Sequence, residues 1–184
     1  IPFCTTRCAY CSFSSGEIGD GRLVEPYLNA LLHEIEACAE MAREMGLHIR
    51  VGYIGGGTPS SLTTPQLERL LTHVEKHFGL LEEFTVEAGR PDTLDAQKLR
   101  MLHDHPVTRI SINPQSMDDR VLALCGRRHT AQEITRAYAQ AEQAGFRQIN
   151  MDLIAGLPGD TPEGFAKSLE AVSALGPSNI TVHT

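Results

Sequence analysis

Three cysteines, Cys4, Cys8 and Cys11, crowd the stretch IPFCTTRCAYC, and the next cysteine or histidine in the chain is His33. Thiolates at spacings of four and three residues on one loop can hold one face of a cuboidal iron–sulfur cluster, for which a full protein shell is four thiolates. Three ligands leave one iron with an open coordination position, and an open position on a metal is where something other than protein binds. Zinc is the competing use of clustered cysteines, but a structural zinc asks for four protein ligands and no fourth lies at finger spacing. The five cysteines are an odd number without a secretory context, which points to metal chemistry in a reducing cytosol rather than to a disulfide framework. Cys38, on the apolar side of one expected helix, and Cys125, at the end of another, read as packing residues.

A second set of chemically capable residues recurs at the ends of apolar runs: Gly55-Gly56-Gly57 with Thr58, then Glu87, Gln115 and Asp152. Glycine lets backbone come close to a ligand and exposes its carbonyls. A carboxylate directed into an apolar mouth is costly unless it is paired, so Glu87 and Asp152 each ask for a partner. Arg127 follows Gln115, and its planar fork suits a carboxylate. Beside it, Arg128 and His129 read as an exposed pair at a helix start. His73, His77 and His103 fall on helix surfaces.

The elements that must position these residues alternate strand and helix. Val24, Leu28, Leu31, Leu32, Ile35, Ala39 and Ala42 keep one helical face, with Pro26 in the first turn and Gly46 past the end. IRVGYIGGG is the next strand, and Thr64-Pro65 opens a helix carrying Leu67, Leu70, Leu71 and Val74 on one side. FTVEAG, RISIN, INMDLIAG and NITVH complete the strands. Between them come a short helix with Leu94, Leu99 and Leu102, a helix with capping-box spacing at Thr130 and Glu133, and a helix opened by Thr161-Pro162 and stopped by Gly176-Pro177. Such alternation gives parallel strands, in either a doubly wound sheet or a barrel. Polar residues converging at the C-terminal strand ends favour the barrel, where active sites sit on that face. The expectation is an α/β fold, an open partial (β/α)6 barrel of parallel strands forming one domain over residues 1–184, with its first strand ending at Ile1-Pro2-Phe3. The start without Met and the stop in an apolar run suggest a fragment, with the first strand truncated and a C-terminal region absent.

The net charge of -7 and the lack of a Lys/Arg stripe argue against nucleic-acid binding, while a few local arginines can still hold an anionic small molecule. No apolar run is long enough for a membrane span, and the expected location is cytoplasmic.

CTTRCAYC followed by GGGTP after the second strand resembles the radical S-adenosylmethionine (SAM) superfamily. The resemblance implies a [4Fe–4S] cluster held by Cys4, Cys8 and Cys11, with the amino and carboxylate groups of SAM completing the open iron. VEAGRPDT, RISINPQSM, GRRHT and NMDLIAGLPG further resemble the oxygen-independent coproporphyrinogen III oxidase group, in particular its HemZ-like coproporphyrinogen dehydrogenase branch. By that resemblance Tyr10 packs near the cofactor, although an aromatic there also simply fills the loop. Gly56, Gly57, Thr58 and Glu87 contact the cluster-bound SAM, and Gln115, Arg127 and Asp152 line a second SAM site or serve the single SAM or the substrate. One or two SAM molecules are therefore implied.

The implied activity is oxidative decarboxylation of coproporphyrinogen III to protoporphyrinogen IX through a 5′-deoxyadenosyl radical, fed by a one-electron donor such as flavodoxin or ferredoxin. Well-studied members carry a further cysteine two positions after the third; this chain has Phe13, as heme-chaperone relatives also lack that cysteine. A heme-binding transfer protein on the same scaffold is the alternative.

Overall fold

The computed structural model describes all residues from Ile1 to Thr184. The chain opens with two short strands, β1 (Phe3–Cys4) and β2 (Gly16–Glu17), paired in parallel so that they close the intervening cysteine loop. Then follow α1 (Val24–Glu44), β3 (Val51–Ile54), α2 (Thr64–Phe78), β4 (Glu83–Glu87), α3 (Ala96–Asp104), β5 (Arg109–Gln115), α4 (Asp119–Leu124), α5 (Ala131–Gln143), β6 (Ile149–Ile154), α6 (Pro162–Leu175) and β7 (Asn179–His183). Single 3₁₀ turns at Pro59–Ser61 and Pro91–Thr93 follow β3 and β4.

The main sheet has five parallel strands in the order β3-β4-β5-β6-β7. Its spatial order matches its chain order without a reversal, so there is no switch point of the kind that defines a doubly wound sheet. The fold is the partial barrel. A sixth full strand does not form at the chain start; instead the Ile1 N–H donates to Gly55 O at 2.7 Å, and Gly57 N–H donates to Ile1 O at 2.7 Å, so Ile1 continues the sheet beside the end of β3.

Alternation along the strands separates the two faces. Phe84, Val86, Ile110, Ile112, Ile149, Met151 and Leu153 are buried under the helices, whose Leu67, Leu70, Leu71, Leu99, Leu102, Ile134 and Tyr138 complete one continuous core. The opposite face is polar. Asn150 Nδ2 donates to Ser111 Oγ (2.9 Å) and to Asp152 Oδ1 (2.6 Å), and Asn150 Oδ1 accepts from Thr181 Oγ1 at 3.0 Å, a ladder across β5, β6 and β7. The helix ends follow local chemistry. Thr130 and Glu133 form the expected capping box, Thr161 Oγ1 accepts from Gly164 N–H, and α2 opens at Thr64 as expected, with Thr63 as its cap. No helix is long and apolar enough to cross a membrane.

Two side-chain placements differ from expectation. Cys38 is exposed, because the part of α1 that is buried comes down to Val24, Leu28 and Ala39 and leaves Cys38 to one side. His129 is buried at 3% exposure while Arg128 points outward. The segment between α4 and α5 turns His129 inward, to 3.7 Å from Asp92 in the turn after β4.

Candidate active site

Eleven of the residues singled out in the sequence line one cavity of about 600 Å³ at the C-terminal end of the sheet: Cys4, Cys8, Tyr10, Cys11, Gly56, Gly57, Thr58, Glu87, Gln115, Arg127 and Asp152; Gly55 does not, and its carbonyl accepts from Ile1. The cavity is assembled by the cysteine loop on one side and the strand ends on the other.

The cysteine loop is held from three directions. Its ends are joined by Gly16 N–H to Pro2 O (2.9 Å) and Ile18 N–H to Cys4 O (2.8 Å). Ala9 N–H donates to Cys125 O (3.1 Å) and Thr6 Oγ1 to Gly126 O (3.3 Å), docking the loop on the end of α4. Thr58 N–H donates to Phe3 O at 2.8 Å, which fixes the segment leading into Cys4. Every cysteine is unpaired. The three loop sulfurs have separate surroundings: Thr58 Oγ1 donates to Cys4 Sγ (3.4 Å), Arg90 Nη2 donates to Cys8 Sγ (3.0 Å), and Cys11 Sγ lies 4.0 Å from Ser15 Oγ. All three cysteines line the same cavity, and three thiols on one loop suit a multi-iron cluster, whose ligands attach to different irons.

The glycine run has a different physical basis from the one expected. A Cβ on Gly56, whose φ is +116°, would lie 2.9 Å from Ile1 O, and one on Gly57 would lie 2.7 Å from Phe3 O and 3.0 Å from Cys4 Sγ. The close approach these glycines permit is to the chain's own cysteine segment. They seat that segment against β3 as well as lining the cavity.

Glu87, at the end of β4, accepts a hydrogen bond from Tyr53 Oη at 2.6 Å. Burial pushes its carboxyl above the usual carboxylate range, the Tyr53 bond opposes this, and nearby Asp152 adds to it. The two acidic groups thus share the cavity with no cation bonded to either, although Arg109 also lines it. Arg127 is 8% exposed and partly committed: Nε donates to Tyr10 Oη (3.0 Å) and Nη1 to Asn113 O (2.6 Å). This links Tyr10, between two of the cysteines, to the end of β5. Burial raises the Tyr10 phenol, so it remains protonated and available as a donor.

Gln115 sits where the β5–β6 register shifts, with φ +69°, the only non-glycine residue with positive φ. The left-handed conformation costs a residue of this kind about 1 kcal/mol. Its buried Oε1 has no hydrogen-bond partner. A strained strand end that carries an unsatisfied buried acceptor facing a cavity fits a site awaiting a ligand donor. Together with three sulfurs on the same cavity, this chemistry fits an iron–sulfur cluster and a small polar cofactor.

Arg90 was not among the residues the sequence pointed to, nor were Tyr53 and Asn113. A signal for Arg90 existed: it stands in VEAGRPDT directly after a strand end that already carried an expected site carboxylate.

The sequence matches the family model for the radical SAM superfamily over residues 1–172. It is 41% identical over 188 residues to the oxygen-independent coproporphyrinogen-III oxidase-like protein HemZ of Bacillus subtilis, covering 100% of this chain and 38% of that protein. It is 38% identical to the heme chaperone HemW of Lactococcus lactis, covering 92% of this chain and 43% of the relative. Among solved structures, the coproporphyrinogen III oxidase HemN from Escherichia coli, described as a radical SAM enzyme, superposes with a TM-score of 0.89 at 30% identity, covering 100% of this chain and 43% of that one. The chain spans about two fifths of the length of these relatives.

Proposed function

This chain belongs to the radical SAM superfamily, and we propose that it is the core of an enzyme that carries out oxygen-independent oxidative decarboxylation of a tetrapyrrole, coproporphyrinogen III to protoporphyrinogen IX. The observation that carries the reading is the convergence of three unpaired cysteines, the strand residues Glu87, Gln115 and Asp152, and Arg127 from the segment after α4 on one cavity. The substrate class is supported by the names of the HemZ and HemN relatives.

Cys4, Cys8 and Cys11 would hold a [4Fe–4S] cluster. When bound, the cluster and SAM supply a 5′-deoxyadenosyl radical on delivery of one electron from a flavodoxin- or ferredoxin-type donor. The residues of this chain bind, orient and shield. The backbone of Gly56 and Gly57 and the Glu87 carboxylate suit the SAM ammonium or ribose, and Gln115 Oε1 suits a donor on the same molecule. The free edge of the Arg127 guanidinium suits a carboxylate. Tyr10 and the cysteine loop cover the cavity from one side, which limits water around a reactive species. Each substrate propionate would lose one β-hydrogen, carbon dioxide and one electron, the electron passing to a one-electron acceptor, and become a vinyl group. Whether one or two SAM molecules occupy the cavity follows from how Gln115, Arg127 and Asp152 are shared.

A second reading, heme binding and transfer on the same scaffold, is favoured by one feature. Phe13 stands two positions after Cys11, lines the cavity and is 60% exposed, an apolar surface where a further cysteine was expected of an oxidase. It is supported by the name of the HemW relative.

The deciding experiment is anaerobic reconstitution of the full-length protein, followed by assay of SAM cleavage with and without coproporphyrinogen III. The decarboxylase reading expects carbon dioxide, a vinyl product and 5′-deoxyadenosine in proportion, all dependent on the porphyrinogen. Tight heme binding with no vinyl product under the same reducing conditions would reverse the order of the two readings.

A further inference from the structure

We propose that Arg90 is a positioning residue for the cluster loop, and that its hydrogen bond to Cys8 raises the reduction potential of the bound cluster. The inference rests on the reading of Cys4, Cys8 and Cys11 as [4Fe–4S] ligands.

Arg90 is 4% exposed. Its Nη2 donates to Thr6 O (2.6 Å) and Cys8 Sγ (3.0 Å), and its Nη1 to Thr6 Oγ1 (2.5 Å) and Thr5 Oγ1 (3.4 Å). One guanidinium thus spans the loop between the first two cysteines. A buried arginine ordinarily demands an anionic partner. No carboxylate comes within 4.0 Å of this one; Asp92, two residues along, faces His129 and feels the Arg90 charge only from a longer distance. A ligating thiolate at Cys8 supplies the missing negative charge.

The arginine is itself held rigidly. Arg90 O accepts from Thr93 N–H (3.0 Å) and from Thr93 Oγ1 (2.8 Å). Thr93 Oγ1 lies 2.5 Å from Ser60 Oγ, and Lys98 Nζ, buried on α3, donates to Ser60 O (2.6 Å) and Thr93 O (3.0 Å). The turns after β3 and β4 are therefore tied to the core beneath them, so the guanidinium is presented to the loop by a fixed frame. Partners of this kind, behind the ligands, orient a metal site and tune it. A cationic donor on a ligating sulfur favours the state with more electron density on the cluster, which is the reduced one, and hydrogen bonds to sulfur are a recognised control of iron–sulfur potentials.

The test uses the full-length protein with Arg90→Gln and Arg90→Lys. In reconstituted protein, an EPR-monitored redox titration should show Arg90→Gln shifted to lower potential by about tenfold in the reduced-to-oxidised ratio, about 59 mV for one electron. Arg90→Lys, which keeps the charge but loses the fork, should fall between it and the wild type. In cluster-free protein, iodoacetamide labelling at about pH 10, where free thiols are ionised with or without a neighbouring cation and the rate reports access, followed by peptide mass spectrometry should show Cys8 alkylated severalfold faster in Arg90→Gln than in wild type, with Cys125 unchanged. Clusters assembled at wild-type potential in both variants would overturn the electrostatic role, and unchanged Cys8 labelling would overturn the clamp. A wild-type protein that assembles no [4Fe–4S] cluster would overturn the parent reading alone, because labelling still tests the clamp. If Arg90→Gln does not fold, the Arg90→Lys potential and labelling decide both points.

Discussion

Gly57→Ala isolates the role of the glycine run in seating the cysteines. The new methyl would stand 2.7 Å from Phe3 O, 3.0 Å from Cys4 Sγ and 3.1 Å from Ile1 O. Two of the three obstacles are backbone, so relief requires moving the segment from Ile1 to Cys4 away from β3. That segment is attached through Gly57 N–H to Ile1 O (2.7 Å) and Thr58 N–H to Phe3 O (2.8 Å), with Thr58 Oγ1 reaching Cys4 Sγ at 3.4 Å. Overpacking of this kind costs about 1–3 kcal/mol, and weakening two backbone bonds adds about 1 kcal/mol each. A loss of about 3–5 kcal/mol is expected, and its structural consequence falls on Cys4. Iron and sulfide content after anaerobic reconstitution should drop together with the visible absorbance, and the melting temperature of the cluster-free protein should fall. Gly89→Ala is the control: it also faces the cavity, but its methyl would meet only Thr58 Cγ2 at 3.7 Å, an ordinary contact. A Gly57→Ala protein with wild-type iron, sulfide and melting temperature would refute the seating argument. The same geometry applies to Gly56→Val, which should disturb the cysteine segment as well as cofactor binding, since its side chain would start 2.9 Å from Ile1 O.

Cys4→Ala, Cys8→Ala and Cys11→Ala should each abolish the cluster absorbance, whereas Cys38→Ala and Cys125→Ala should keep it, with Cys125→Ala, fully buried, about 1 kcal/mol less stable by thermal melting. Burial raises the folded-state carboxyl of Glu87 above its ordinary value, so the folded chain binds that proton more tightly than the unfolded one. Its ionisation therefore disfavours folding once the pH exceeds the ordinary value, and Glu87→Gln should make the cofactor-free protein more stable at neutral pH. Denaturant titrations should show that advantage shrinking as the pH falls towards 4.5, even while SAM binding is weakened. Lys98→Met should destabilise the protein by about 1–3 kcal/mol, because Ser60 O and Thr93 O lose their buried donor, as thermal melting would show. Arg127→Ala should weaken binding of whichever carboxylate its free edge serves, that of SAM or a propionate of the substrate, by about 10-fold or more, the scale of one lost charged hydrogen bond, as calorimetry with each in turn on the reconstituted protein would measure.

The parts of the fold readable from the sequence are those dictated locally. Apolar spacing and caps located the helices, down to the Thr130–Glu133 box and the stop at Gly176. Strand-end polarity found the cavity, because alternation in a parallel strand forces Glu87 and Asp152 onto the face opposite the helices. Where the outcome depended on which surfaces meet, local pattern was a poor guide. Apolar spacing implies a helical face around Cys38 wider than the surface that α1 buries, and His129 follows two arginines yet turns inward to Asp92. Arg90 shows the limit most clearly. Its partners Thr5, Thr6 and Cys8 lie more than eighty residues away in sequence, and nothing in the arginine's own neighbourhood announces them.

The distribution of charge inside the cavity bears on how the proposed reaction divides among its parts. Four arginines line it: Arg7, Arg90, Arg109 and Arg127. Arg90 is occupied with the cysteine loop and Arg127 has two of its donors committed to Tyr10 and Asn113. Arg109 leans towards Glu83 at 3.4 Å. Of the four, only Arg7, exposed on the loop itself, makes no side-chain hydrogen bond or ion pair, its backbone N–H alone donating to Glu17 Oε1 at 3.4 Å. Glu87 and Asp152 add negative charge on the sheet side, where SAM, a sulfonium with an ammonium group, is the fitting guest. A porphyrinogen bearing several propionates needs the opposite field. The cavity in these residues is therefore matched to the cofactor half of the proposed reaction, and an anionic substrate finds its complement here only at the loop side, around Arg7 and the remaining edge of Arg127. On this reasoning Arg7→Glu should affect the Michaelis constant for the porphyrinogen far more than SAM binding, and equal losses in both would mean that substrate and cofactor do not divide the cavity in this way.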